Sequence, residues 1–180
     1  QNQELGKNPE KQPKNLTQLY RLFYQEFLLR TFKRSNPAAE SHTIVELEEK
    51  YQHELGFLKK LAHDYLTREN GELEVSLETF IAEMERYQRE CRCEPGLTRE
   101  AIAAFGLLLF RENGVCIFAH LTLQEYLAAL YLAEQLMPSN KGNPSFAASI
   151  DFIRRNKYHP RYAMVIPFLM GAVAENAEED

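Results

Sequence analysis

The architecture turns on one stretch, FAHLTLQEYLAALYLAE, residues Phe118 to Glu134. Thr122 and Glu125 stand three apart, the spacing at which a threonine hydroxyl and a glutamate carboxylate cap a helix start reciprocally. The pattern predicts a helix from there through about Leu136, with Tyr126, Leu127, Leu130 and Tyr131 forming its core side at helical spacing. On this reading Glu125 serves the cap and Gln124 is a surface or interdomain polar group. His120 stands directly in front of the helix, where backbone N–H groups and the helix dipole attract anions. By position alone the imidazole either meets a ligand or packs at the end of the preceding element.

That preceding element has a different period. LLLFRENGVCIF, residues 107–118, is two short apolar runs joined by Asn113-Gly114, which predicts a tight β-hairpin. Upstream, the signals are helical. Asn15 with Gln18 marks a start, followed by a stripe of Leu16, Leu19, Tyr20, Phe23, Phe27 and Leu28 running to about Lys33. SNPAAES breaks it, because proline disfavours helix in the residue before it. Thr43 with Glu46 opens one long helix to about Glu69, apolar at Leu47, Tyr51, Leu55, Leu58, Leu61, Ala62 and Tyr65. Asn70-Gly71 is its predicted stop. An extended LEVS leads into a helix from about Leu77 to Glu90, then the loop CRCEPG, then a helix from about Arg99 to Leu108. Downstream, Pro144 suits the first position of a further helix and His159-Pro160 opens the last. Residues 1–14 read as a loop or frayed end.

The predicted fold class is therefore mainly α: helical bundle segments around a winged-helix-like unit, with one small β-hairpin. Three helices followed by a hairpin over residues 77–119 have the winged-helix order, an analogy of fold and not of function. The candidate reading helix, TREAIAAFGLLLF, is apolar and offers only Arg99, whereas a DNA reader needs several polar side chains at base edges and phosphates.

Composition agrees. The chain has 180 residues, 44% of them hydrophobic and 26% charged, with a formal net charge of −5, so it can bury a core but lacks the basic face of a nucleic-acid binder. No apolar run approaches the ~18 residues that cross a bilayer. The long helix mixes Glu, Lys and His on its polar face, unlike a membrane-surface helix. Neither nucleic acid nor membrane is an expected partner. Cys91, Cys93 and Cys116 are odd in number and lack framework spacing, which fits reduced thiols in a cytoplasmic protein. A Cys3His zinc set with His120 is disfavoured by the C-x-C spacing, and a Cys116–His120 nucleophile pair lacks a third, orienting group. No metal site and no catalytic residue is expected. His42, His53, His63 and His159 sit on polar faces or at a helix start.

Residues 118–129, FAHLTLQEYLAA, resemble the F-x-H-x-[ST]-x-Q-E-[FY]-x-A-A signature of NACHT-type NTPases, the signal-transduction ATPases that include the NOD-like receptors. PKNLTQLYRLFYQEFLLRT (13–31) resembles the P-x-x-[LR]-T-x-LY helix of that family's first helical domain. LGFLKKLAHDYLTRENGELEVS (55–76) is similar to the opening of its winged-helix domain, and FIRRNKYHPRYAMVIPFLMGAV (152–173) to the start of its second helical domain. The resemblance implies three parts: residues 1–40, the end of the first helical domain; 41–137, the winged-helix domain; and 138–180, the start of the second helical domain. It implies that His120 contacts the β-phosphate of ADP and locks a closed resting state.

The phosphate-binding loop itself, G-x-x-x-x-G-K-[ST], does not occur. Gly6-Lys7 lacks the upstream glycine and is followed by Asn8. The chain also begins without methionine. The expectation is thus a non-enzymatic regulatory piece of a longer NTPase. Its partners would be the upstream NTPase core and a downstream repeat or sensor region of the same chain, with possible homo-oligomers of the parent. ADP or ATP would be met only with the core, and the alternative is a helical interaction scaffold with no nucleotide role.

Overall fold

A computed structural model of the chain describes residues 13–36, 41–68, 74–94 and 96–179. It is mainly helical with one small sheet, as the sequence predicts. The first helix, α1 (Leu16–Ser35), starts at the Asn15 cap, whose side chain accepts from Gln18 N–H at 2.8 Å. Thr43 and Glu46 form both bonds of a capping box at the head of α2 (Ile44–Lys50). The predicted long helix is interrupted at Tyr51, which leaves helical geometry (φ −113°, ψ 29°) before α3 (Gln52–Thr67) resumes. Its predicted stop at Asn70-Gly71 lies outside the described residues. Strand β1 (Glu74–Ser76), helix α4 (Leu77–Cys91), helix α5 (Arg99–Ala104) and strands β2 (Leu108–Phe110) and β3 (Val115–Phe118) follow.

Strand β3 lies between β1 and β2, antiparallel to both, with Cys116 opposite Val75 on one side and Phe110 on the other. The order α3–β1–α4–α5–β2–β3 with this sheet is that of a winged-helix unit. It begins one helix earlier than residue 77, because α3 supplies the first of its three helices. The Asn113-Gly114 turn differs from the tight two-residue form. Gly114 takes positive φ (75°) while Asn113 does not, and Gly114 N–H donates to Arg111 O at 3.2 Å. That is a longer loop with glycine in the left-handed position, the next commonest way to close a hairpin.

Helix α6 (Leu121–Gln135) is the hub. It packs along α3 on one side and α8 (Val165–Glu179) on another, with α7 (Pro144–Asn156) beside it. Leu123, Tyr126, Leu127, Ala128, Ala129, Leu132 and Ala133 are all buried. A helix apolar on nearly all sides must be surrounded to be stable. The buried residues form one cluster from Tyr24 in α1 to Ala172 in α8. Within it, α1 turns inward through Thr17, Tyr24, Leu28 and Phe32. The stripe read from sequence is split: Leu16, Leu19 and Phe23, with Leu22 beside them, are exposed, while Leu28 is buried and Tyr20 and Phe27 pack against the cluster. Helix α1 is apolar on two faces, and packing chose between them.

Candidate functional site

His120 is itself the N-cap of α6. Its backbone is extended (φ −153°, ψ 138°), and its Nδ1 accepts from Thr122 N–H at 3.1 Å. The predicted Thr122–Glu125 capping box is therefore not formed. The cap lies two residues earlier, which puts Thr122 and Glu125 inside the helix. The hairpin fixes this junction: Ala119 N–H donates to Leu107 O at 2.9 Å, carrying the β2–β3 pairing to the residue before His120. The imidazole is exposed. With Nδ1 accepting from Thr122 N–H, Nε2 is the ring nitrogen left to carry an outward N–H. The outward-facing chemistry is thus one N–H donor beside a helix N-terminus, able to meet an anionic oxygen.

The two motif residues that follow are not on the surface. Gln124 is 1% exposed and neither atom of its amide has a hydrogen-bond partner. Such an orphan amide costs ~1–3 kcal/mol, which the apolar burial around it has to offset. Glu125 is 8% exposed, and burial raises its carboxyl above the ordinary range; only a protonated His120 would oppose this, and only in part. The sign follows from linkage. A carboxyl raised in the folded state binds its proton more readily there than in the unfolded chain. Stability therefore improves as pH falls through the raised value toward the ordinary 4.5. Glu125→Gln, which removes the buried charge, should unfold at higher temperature than the parent at neutral pH. The gap should close toward about pH 4, where both side chains are neutral. Thermal melts of the two proteins at both pH values check this.

The cysteines separate. Cys116 is fully buried in the sheet, and burial pushes its thiol up to about 11, so it is neither a nucleophile at neutral pH nor a partner of exposed His120. Cys91 and Cys93 lie together at the end of α4, joined as a disulfide, contrary to the reduced thiols expected from sequence. The exposed Arg99 side chain lays its guanidinium over the Phe110 ring at 4.6 Å. His63 stacks on Tyr131 (4.9 Å between ring centroids), and His159 caps a 3-10 turn by accepting from Arg161 N–H.

One feature escaped the sequence. A cleft of about 580 Å³ opens among α1, α2, α3, α4, α6 and α8, lined by charged and hydroxyl groups. Its charges are matched within the fold. Arg21 lies 2.7 Å from Glu175 Oε2 as an ion pair off the hydrogen-bond direction, and Lys59 pairs with Glu134. Glu48 stays above the ordinary carboxylate range through burial, against the pull of Lys59 and of a Gln25 hydrogen bond. Burial likewise pushes Tyr126 up to about 12, and Tyr24 higher still, so neither hydroxyl is a base at neutral pH. The cleft is a polar seam between helices, assembled from six elements that no local motif links.

No helix among the described residues is long and apolar enough to cross a membrane. No protein-family model, no curated protein and no solved structure matches this chain.

Proposed function

We propose that this chain is the regulatory winged-helix and helical segment of a NACHT-type signalling NTPase. In that role it is a cytoplasmic lid that senses ADP through His120 and controls opening and oligomerisation of the parent. The observation that carries the reading is the state of His120: exposed, held at the head of α6, with Nδ1 engaged by Thr122 N–H and Nε2 left as the outward donor. The residues present fit one contact to a phosphate oxygen and not a whole nucleotide site. The phosphate-binding loop would come from the upstream core, so this segment turns over nothing by itself.

His120 supplies the donor, and the hairpin and the α6 cap hold it in place. A hydrogen bond to a charged partner is worth ~1.5–3 kcal/mol, or about 10–100-fold in a resting equilibrium. It acts as a lock only because it exists in one of the two states.

The test is ADP released on denaturing the full parent protein, compared for wild type, His120→Ala and His120→Asn. Asparagine is a good N-cap but cannot place a donor where Nε2 stands. The lid reading expects His120→Asn to keep the wild-type melting temperature yet lose ADP or activate. Equal ADP in all three proteins sinks it and leaves the second reading, a helical interaction scaffold. That reading has its own support in the exposed apolar residues Leu16, Leu19, Leu22 and Phe23 of α1.

A further inference from the structure

We infer that Cys91, Cys93 and His53 form a binding site for a soft divalent cation, Zn2+, when the two cysteines are reduced. The ligand atoms of these three residues lie within 4.8 Å of one another. Zinc bonds of ~2.0–2.3 Å to nitrogen and sulfur place ligands of one ion about 3.5–4 Å apart, so small side-chain rotations suffice. Two thiolates and one imidazole suit this borderline-soft ion, and three protein ligands leave a coordination position for water or a small ligand.

The backbone is built to bring the sulfurs together. Arg92, between them, is the only non-glycine residue with positive φ among the described residues (φ 53°, ψ 40°). This left-handed cap ends α4 and turns the chain back. Arg92 N–H and Cys93 N–H both donate to Gln88 O, so the two side chains emerge on one side, with Cα atoms 5.3 Å apart. A left-handed arginine costs about 1–3 kcal/mol, and such strain concentrates at functional sites. The loop beyond passes close to the Gln88 side chain: a Cβ on Gly96 would sit 2.0 Å from Gln88 Nε2.

His53 arrives from another element. The start of α3 lies against the end of α4, where the Phe57 ring meets Tyr87 at 5.6 Å, while Arg68 at the far end of α3 reaches Glu83 at 3.7 Å. The site is reachable, because a surface groove bordered by Gln88, Arg92, Cys93 and Gly96 leads to Cys93, while His53 and Cys91 are half-buried.

Metal and disulfide exclude each other. Reduction of the Cys91–Cys93 bond by a phosphine takes up one water, yields phosphine oxide and leaves two thiols. Binding of Zn2+ then displaces both thiol protons to solvent.

The experiment uses the whole chain, reduced with a water-soluble phosphine, desalted under nitrogen and titrated first with Co2+ and then with Zn2+. The expected result is a thiolate-to-cobalt charge-transfer absorption that saturates at one ion per chain and is abolished by Zn2+. It should be missing in Cys91→Ser and in Cys93→Ser and unchanged in Cys116→Ser. His53→Ala should weaken binding by about 100-fold or more, beyond the ~10–100-fold of an outer-shell change. Circular dichroism confirms that each variant is folded. The proposal is overturned if the reduced chain shows no saturable absorption, if Cys93→Ser keeps it, or if His53→Ala binds like wild type.

Discussion

Phe168→Ala is expected to cost about 3–5 kcal/mol of stability, the range for emptying a large aromatic site in a closed core. The argument rests on what surrounds the ring. Phe168 is 0% exposed, with the Tyr20 ring 4.7 Å away and Tyr126 edge-on at 5.4 Å. Tyr126 in turn contacts Tyr24 at 5.6 Å. These four rings join α1, α6 and α8, so the cavity would open where three helices meet and none can close in without parting from another. Urea denaturation measures the loss. A cost below about 1 kcal/mol, with an unchanged denaturant slope, would show that the helices collapse onto the site.

Gly171→Ala is the second large expected effect, about 1–3 kcal/mol or more, by the opposite mechanism of overpacking. A Cβ at Gly171 would lie 2.0 Å from Thr17 Oγ1 and 2.5 Å from Thr17 Cβ. Thr17 is 2% exposed and β-branched, hence stiff in a helix, and its Cβ moves only with the backbone. Helices α1 and α8 must therefore separate, which also breaks the weak bonds from Thr17 Oγ1 to Pro167 O and Phe168 O. Thr17→Ala removes the hydroxyl but leaves the 2.5 Å contact, so it should rescue Gly171→Ala only in part. A double-mutant cycle reads the coupling directly. Additive costs would mean that the two helices do not approach at this point.

Much of the fold was legible because its signals are local. The Thr43 capping box, the Asn15 cap, Pro144 at the first position of α7 and the Asn-Gly hairpin each depend on about four consecutive residues, and each stands where the sequence places it. The core face of α2 and α3 was legible too, since one side of that segment is apolar and the other charged. The site was legible in part. His120 was singled out by its place before α6, but its role as the cap was not. Histidine and threonine can each cap, and the hairpin register ending at Ala119 decides which backbone starts the helix. The same two-residue shift carries Glu125 and Gln124 from an expected cap and surface into the interior.

The amino-acid order by itself determined where helices start, where the chain turns, and that a mainly helical protein with one small sheet results. Only the tertiary structure decided which of two apolar faces of α1 is buried. It also broke the long helix at Tyr51 and brought His53 to the cysteine pair 38 positions further on in Cys91. The reason is range. Caps and turns are satisfied by backbone groups a few residues away, so their cost and gain are complete within a short window. Burial is settled by a partner surface, and side chains distant in sequence meet only once α3 and α4 have packed.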